Sequence, residues 1–333
     1  MTSRALSAES EAARIKMRHH ASANHGVFQR SDLDALGISY DLLRTLVRNG
    51  WWTRLHHGVY IDTEVLESAH DPRTRTLVFV TAAMCRLSGG AFAYGPSASL
   101  LHGLAMDRRL HDTLALVRPL AHDQRALHRR ISHSSMLGSI EVHRHSMVGE
   151  STTVIDGVPS QDRWDAAITT AARESRPWAL ATLDSAVWRD EEGLASLTNR
   201  VDRWPGIAGI GTVRSVLPLV RTGAQSPLES LSRFQLLAAG LSEPELQFAI
   251  YDESGLVGFA DMAWPELRVI GEADGMAKYT QREDLIGEKL REDRMRALGW
   301  VVVRWTWREI LTTPELVVAR IRRAATLART RLA

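Results

Sequence analysis

Cysteine is almost missing from this chain: Cys85 is the only one in 333 residues. A single thiol excludes an internal disulfide and any zinc site built on cysteine. Cys85 lies in the apolar run TLVFVTAAMCRLSG and reads as an inert core thiol. Lysine is nearly as scarce, with Lys16, Lys278 and Lys289 alone among 41 basic residues. Long apolar runs are missing too. No stretch is long and charge-free enough to span a bilayer, and the N-terminus lacks the apolar core of a secretion signal, so a cytoplasmic protein without a membrane partner is expected. There is no internal repeat and no low-complexity tract. The net charge of +2 excludes a general polycation. Charge is nevertheless uneven: residues 316–333 hold five arginines and no acid. That segment reads equally as a phosphate-contacting patch or as the solvated face of a terminal helix.

What is present suggests two or three domains from length alone. Residues 7–23 read as a helix ended by Asn24-His25-Gly26. Ser31 is expected to cap a short helix stopped by Gly37, and Ser39 a longer one stopped by Gly50. WWTRLHHGVYID then reads as two strands joined near His56-His57-Gly58. This order is that of a winged helix-turn-helix. In its last helix Leu42, Leu43, Leu46 and Val47 share one face, while Asp41, Arg44, Thr45 and Arg48 share the other. Arg44, Thr45 and Arg48 are therefore candidates for a DNA groove, with Arg54, His56 and His57 in the wing beside phosphates.

Residues 71–160 mix short strands, such as TLALVRPL and IEVHRHS, with the helix SASLLHGL. His102, His143 and His145 lack the spacing of a metal site and read as structural or surface residues. Residues 161–221 show helical periodicity and read as a connector. The segments Gly26-Val27-Phe28, LGIS, LVRNGWWTRLHHGVY and GPSASLLHGL resemble the N-terminal module of AbiEi-type antitoxins of type IV toxin–antitoxin systems. That resemblance implies DNA binding, operator repression and a possible cognate toxin.

The chemistry concentrates in residues 222–333. Ser226-Pro227-Leu228-Glu229 opens a helix with Ser at the N-cap, Pro at N1 and Glu at N3, so Glu229 has a capping role available to it. Strands follow at LQFAIYD, VGFADMAW and RVIGEADG, with Asp261 in mid-strand and Glu272 and Asp274 two residues apart. Period-two alternation puts Ile270, Glu272 and Asp274 on one face. Crowded carboxylates repel one another and are costly to desolvate, and a hard divalent cation, Mg²⁺ or Mn²⁺, is the usual remedy. Such a site suits metal-assisted phosphodiester hydrolysis. Asp261 and Glu272 are the first candidates for metal ligands, Glu229 a third, Asp274 an accessory. Lys278 could stabilise transition-state charge. A helix over EDLIGEKLREDRMRALG and a buried strand WVVVRWTW complete the segment, and Arg304 could point at the site or at phosphate.

SPLESLSRFQLLAAGL, FADMAWPE, GEADGMAKY, EKLREDRMRALGW and VVRWTW resemble the PD-(D/E)XK endonuclease-like domain related to the very-short-patch-repair (Vsr) nucleases. Carried over, the acidic positions of that family fall on Glu229, Asp261 and Glu272. Asp274 stands where the fold's signature has lysine, with Lys278 or Gln247 as possible substitutes. The expected fold class is therefore an α+β or α/β multidomain chain: a winged helix-turn-helix over 1–70, a mixed middle region over 71–160, a helical connector over 161–221, and a restriction-endonuclease-like mixed sheet flanked by helices over 222–333. The expected function is that of a DNA-binding endonuclease, with a non-catalytic DNA-binding regulator or antitoxin as the alternative.

Overall fold

The computed structural model describes residues 7–85, 87, 90–119, 127–132, 139–145, 151–274 and 282–332. The chain is a mixed α and β protein that divides into two compact units, Met1–Thr170 and Ala171–Ala333. No helix among the described residues is long and apolar enough to cross a membrane.

The first unit begins with α1 (Ala8–Ala21), β1 (Val27–Gln29), α2 (Arg30–Leu36), α3 (Tyr40–Arg48), β2 (Trp52–His56) and β3 (Val59–Asp62). The strand β1 was not foreseen; it pairs antiparallel with β3, giving a three-stranded sheet of order β1-β3-β2. Its presence moves the start of α2 to Gln29, whose N–H donates to Asp32 at 2.6 Å, and leaves Ser31 inside the first turn rather than at the cap. Ser39 does cap α3, accepting the Leu42 N–H at 3.2 Å. Met17, Phe28, Leu33, Leu43, Leu46 and Trp52 form a core beneath these elements. An ion-pair knot fixes α1 to the end of β3. Arg14 donates to both oxygens of Asp62 at 3.0 and 3.1 Å, and Arg18 joins at 2.7 Å. Burial alone would raise the Asp62 carboxyl, but the two guanidinium groups outweigh it and hold its pKa low.

The unit continues through α4 (Thr63–Ser68), α5 (Pro72–Met84), β4 (Phe92–Ala93), α6 (Pro96–Leu101), β5 (Leu114–Pro119), β6 (Leu127–Ser132), β7 (Ser139–His145), β8 (Thr152–Ile155), β9 (Val158–Gln161) and α7 (Arg163–Ala171). Its six-stranded sheet has the order β6-β7-β5-β4-β9-β8, with β5–β7 and β4–β9 parallel. Leu55, Val59 and Ile61 of the small sheet share one core with Val78 and Val80 of α5 and Leu114 and Leu116 of β5. The thiol of Cys85 sits against this core, and burial pushes its pKa up, as suits an inert thiol.

The second unit opens with α8 (Arg176–Val187), α9 (Glu191–Val201) and α10 (Ile210–Val216), followed by α11 (Pro227–Ala238). Of the residues read as a connector, 161–170 fall in the first unit and 171–221 in the same unit as the acidic segment. Asp184 of α8 and Arg233 of α11 meet at 2.9 Å. Then come β10 (Glu245–Asp252), β11 (Gly255–Trp264), β12 (Val269–Asp274), α12 (Arg282–Ala297), β13 (Val301–Thr306), α13 (Trp307–Thr312) and α14 (Pro314–Leu332). The sheet runs β10-β11-β12-β13; the first three strands are an antiparallel meander, and β13 adds parallel to β12. The crossover through α12 is what a parallel pair requires. One face of the sheet packs Met262, Trp264 and Trp305 against Leu236 of α11 and Ile321 of α14, and the other packs Ile270 against Met295 and Trp300. The arginine-rich tail is the outer side of α14: Val317, Val318, Ile321, Ala324 and Ala328 are buried while Arg320, Arg322, Arg323 and Arg329 stay on the exposed side.

Candidate functional site

The acidic residues come together in the second unit because β11 and β12 are neighbours and the first turn of α11 brings Glu229 within electrostatic reach of Asp261. The β11–β12 register ends at Met262↔Gly271, which leaves Asp261 and Glu272 as the next residues along the two strands. The Asp261 carboxylate accepts the Ala273 N–H at 2.8 Å, which ties it across the strand pair. Its charge acts on both Glu229 and Glu272.

The two glutamates have different lives. Glu229 is buried and fully engaged: one oxygen accepts the Gln225 N–H at 2.9 Å and the Gln247 amide at 3.2 Å, and the other accepts the Ser226 hydroxyl at 2.8 Å. Its own N–H donates to Ser226, which is the helix cap expected from the sequence. Burial raises its pKa, and Asp261 adds to the effect against these hydrogen bonds. Glu272 is 9% exposed, and its Oε1 is buried with no hydrogen-bond partner among the described residues. Its pKa is pushed up to about 7, first by burial and then by Asp261, against the pull of Arg291 and Arg304. A buried carboxylate oxygen left unmet costs free energy that folding does not require.

Asp274 is half-buried at the end of β12, opposite Thr306 in the register. Lys278 lies outside the described residues. Arg304 stands beside Glu272 in the β12–β13 register, but its guanidinium is held by Glu288 and by Glu292 at 3.1 Å. The cation that reaches the site was not foreseen: Arg291 of α12 lies 3.4 Å from Glu272 and also donates to the Phe259 carbonyl at 3.0 Å. The only hint in the sequence was a helix dense in charge following the acidic strand. Among the described residues no group of three His, Cys, Asp or Glu is arranged to hold a metal ion.

In the first unit, Arg44 and Arg48 are exposed along α3 and Thr45 is half-exposed beside them. Two residues missed in the sequence join them. The Arg30 guanidinium lies 4.5 Å from the centre of the Tyr40 ring and that of Arg44 5.7 Å from it, so the start of α3 carries an exposed aromatic flanked by cations. Arg54 and His57 are exposed on the β2–β3 hairpin. His56 is not. It is 3% exposed, and its Nε2 lies 2.6 Å from the Ala82 carbonyl. A register shift between Arg54 and His56 breaks the alternation of β2 and turns the imidazole inward, so this ring is removed from the phosphate-facing set.

Residues 16–61 match the family described as "Transcriptional regulator, AbiEi antitoxin". The N-terminal module is of AbiEi antitoxin type. The family match ends at residue 61 and leaves the second unit to its own geometry. Two proteins of Mycobacterium tuberculosis are similar over a longer span: "Uncharacterized protein MT2308" of strain CDC 1551 / Oshkosh and "Uncharacterized protein Rv2248" of strain ATCC 25618 / H37Rv. Each is 27% identical over 279 residues, which is 83% of this chain and 93% of the relative. That span exceeds either compact unit, so the likeness runs beyond the AbiEi-type module into the second unit.

Proposed function

We propose that the AbiEi-type module is a winged helix-turn-helix that holds duplex DNA, and that the second unit is a PD-(D/E)XK-like, Vsr-like endonuclease domain that hydrolyses a phosphodiester bond. The observation that carries this is the Oε1 of Glu272, buried beside Asp261 and without a hydrogen-bond partner among the described residues. The element order supports it: a helix, an antiparallel meander, a crossover helix and a parallel strand.

The residues fit a hard divalent cation, Mg²⁺ or Mn²⁺, with Asp261 and Glu272 as its holders. Mg²⁺ keeps several waters and needs only one or two carboxylates, so a third protein ligand is not required. When bound, such an ion would polarise the scissile phosphate and lower the pKa of an attacking water. Glu229 acts at one remove, fixing Gln225 and Gln247 and adding negative charge. Arg291 takes over part of the role that lysine has in the fold's signature: it approaches Glu272 from α12, on a different element from Asp274, and would meet charge developing on the phosphate. In the N-terminal module the exposed face of α3, with Arg44, Thr45 and Arg48, would enter a groove. Arg54 and His57 would reach flanking phosphates.

A second reading has its own support. The matched family is described as a transcriptional regulator and antitoxin, and no three-ligand metal group occurs among the described residues. On that reading the second unit is a non-catalytic platform and a cognate toxin is a partner. One experiment separates the two. Purified protein and Asp261→Ala are incubated with plasmid, mismatched duplex and single-stranded DNA, with Mg²⁺ or Mn²⁺, and binding is followed by mobility shift. Cutting by the wild type alone supports the nuclease. Binding without cutting on every substrate, or equal cutting by both proteins, overturns it.

A further inference from the structure

A cavity of about 320 Å³ opens in the first unit, where the AbiEi-type module meets the helices that follow it. Met17 and Arg18 of α1, Phe28 of β1, Val65 of α4 and Val78 of α5 line it. Its body is apolar: Met17, Phe28 and Val78 are buried, as is Ala69 just past α4. The turn after α1 closes one wall. Gly26 comes so near α4 that a Cβ would lie 2.7 Å from the Val65 side chain. The preceding residue, His25, has a left-handed backbone with φ of 54°, which non-glycine residues seldom adopt and which recurs at ligand clamps. Its Nε2 lies 2.8 Å from the Asp156 carbonyl, so the ring is held.

The hydroxyls and the carboxylate at the wall are engaged. Ser22 donates to the His19 carbonyl and Ser68 to the Val65 carbonyl, each at 2.8 Å, and the Thr74 hydroxyl bonds Asp71. Asp62 accepts from Arg14, from Arg18 and from the Glu64 N–H. Arg18 differs. Its Nη2 serves Asp62 at 2.7 Å and Glu64 at 2.6 Å, but its Nε is buried with no hydrogen-bond partner among the described residues. A buried donor left unmet costs free energy, which an acceptor on a ligand would recover. An ordered water needs about two to four polar partners, which an apolar wall does not supply. The ion-pair knot sets the charge of that ligand. Two guanidinium groups face Asp62 and Glu64, and Glu11 stands 3.8 Å from Arg14. An anion would meet those acids and compete with them for Arg18. A cation would meet the arginines. A neutral acceptor disturbs neither.

We propose that this cavity is a receptor site for a small neutral molecule of one or two fused rings that carries a carbonyl acceptor. The rings pack on Met17, Phe28, Val65 and Val78, and the carbonyl oxygen accepts the Arg18 Nε–H. The volume lies at the low end for small-ligand sites, which begin near about 300 Å³, so a larger ligand does not fit. A molecule seated there braces α1 and β1 against α4 and α5. The site uses neither the exposed face of α3 nor the acidic pair, so it stands whether or not the second unit cuts DNA.

The test is a titration of the full-length protein with isotope-labelled methionine methyl groups. The Met17 methyl resonance, assigned with Met17→Leu, reports occupancy of this cavity. The probe is coumarin, a neutral bicyclic lactone. Naphthalene supplies rings of the same size without an acceptor, and coumarin-3-carboxylate supplies the anion. Coumarin is expected to move the Met17 resonance and to bind about five-fold or more tightly than either comparison compound. Arg18→Lys keeps a cation beside Asp62 and Glu64 but removes the Nε–H. It should erase the advantage of coumarin over naphthalene and leave naphthalene affinity unchanged. Val65→Phe should fill the cavity, and Ser68→Trp, at an exposed position, should obstruct its rim. Each should leave the Met17 resonance unmoved by coumarin, with thermal melts confirming the fold; where Val65→Phe does not fold, Ser68→Trp carries this arm. An unmoved Met17 resonance in the wild type, equal binding of coumarin and naphthalene, or tighter binding of the carboxylate would overturn the proposal. So would a coumarin preference kept by Arg18→Lys, or a Met17 response kept by the filled variants.

Discussion

The Asp184 carboxylate and the Arg233 guanidinium meet at 2.9 Å with side-chain exposures of 1% and 0%. Asp184 also accepts the Arg221 N–H at 2.9 Å, so one buried acid ties together α8, α11 and the segment between them. Removing the cation leaves that acid uncompensated. Arg233→Ala should destabilise the second unit by about 3–5 kcal/mol. The urea midpoint of the full chain, followed by circular dichroism, checks this. A midpoint unchanged from wild type would show that the pair is not what holds α8 to α11.

Glu272 gives the site a pH dependence whose sign can be worked out. Its folded pKa of about 7 lies above the ordinary 4.5. Below pH 4.5 the carboxyl is protonated in both the folded and unfolded states and costs nothing. As pH rises from 4.5 to about 7 the unfolded chain ionises freely while the folded one resists, so stability falls across that window by roughly 3 kcal/mol. Glu272→Gln should therefore raise Tm at pH 8 in EDTA and leave it little changed at pH 4.5. Thermal melts at the two pH values decide the matter; an equal shift at both would point to a packing effect instead.

Gly271 stands beside Glu272 with no room for a side chain. A Cβ there would lie 2.5 Å from the Trp305 ring and 3.2 Å from that of Trp264. Both rings are fully buried and cannot yield cheaply. Gly271→Ala should cost about 1–3 kcal/mol through overpacking and push β12 away from β13. The expected readout is a lowered Tm together with an upfield or downfield displacement of the Trp305 indole N–H resonance, which bonds Ser232 at 2.7 Å in the native fold.

For the N-terminal module, Arg44→Ala and Arg48→Ala should each weaken DNA binding about five- to ten-fold at moderate salt. For a phosphate contact the salt slope should drop by about one. His56→Ala should act otherwise: the ring is buried against the Ala82 carbonyl, so Tm falls and affinity per folded molecule holds. Fluorescence anisotropy across a salt series, beside thermal melts, separates the two behaviours.

The difference between Arg54 and His56 shows where sequence reasoning stops. Alternation along WWTRLHHGVY puts them on one face, but the register shift between them sends Arg54 outward and His56 inward. Nothing in the residue types announces that bulge. The β1 strand escaped for a related reason, since three residues are too few to carry a period and only pairing with β3 reveals them. Asp261 and Glu272 were legible because strand alternation and a two-strand register leave little choice of neighbour. Arg291 was not legible. In α12 most positions are charged, and a helix without a clear apolar stripe does not say which side meets the sheet.

The parallel closure of the sheet has a consequence for the order of assembly. Asp261 and the strand bearing Glu272 are joined within 12 residues by a local hairpin, whereas Arg291 lies 19 residues beyond Glu272 and comes in with the crossover. Short loops close at lower entropic cost than long ones. The carboxylates are therefore expected to meet before the arginine that offsets them, which would leave the nascent meander with its negative charge unshielded. Screening salt or a divalent cation should speed refolding of this unit more than it raises the final stability.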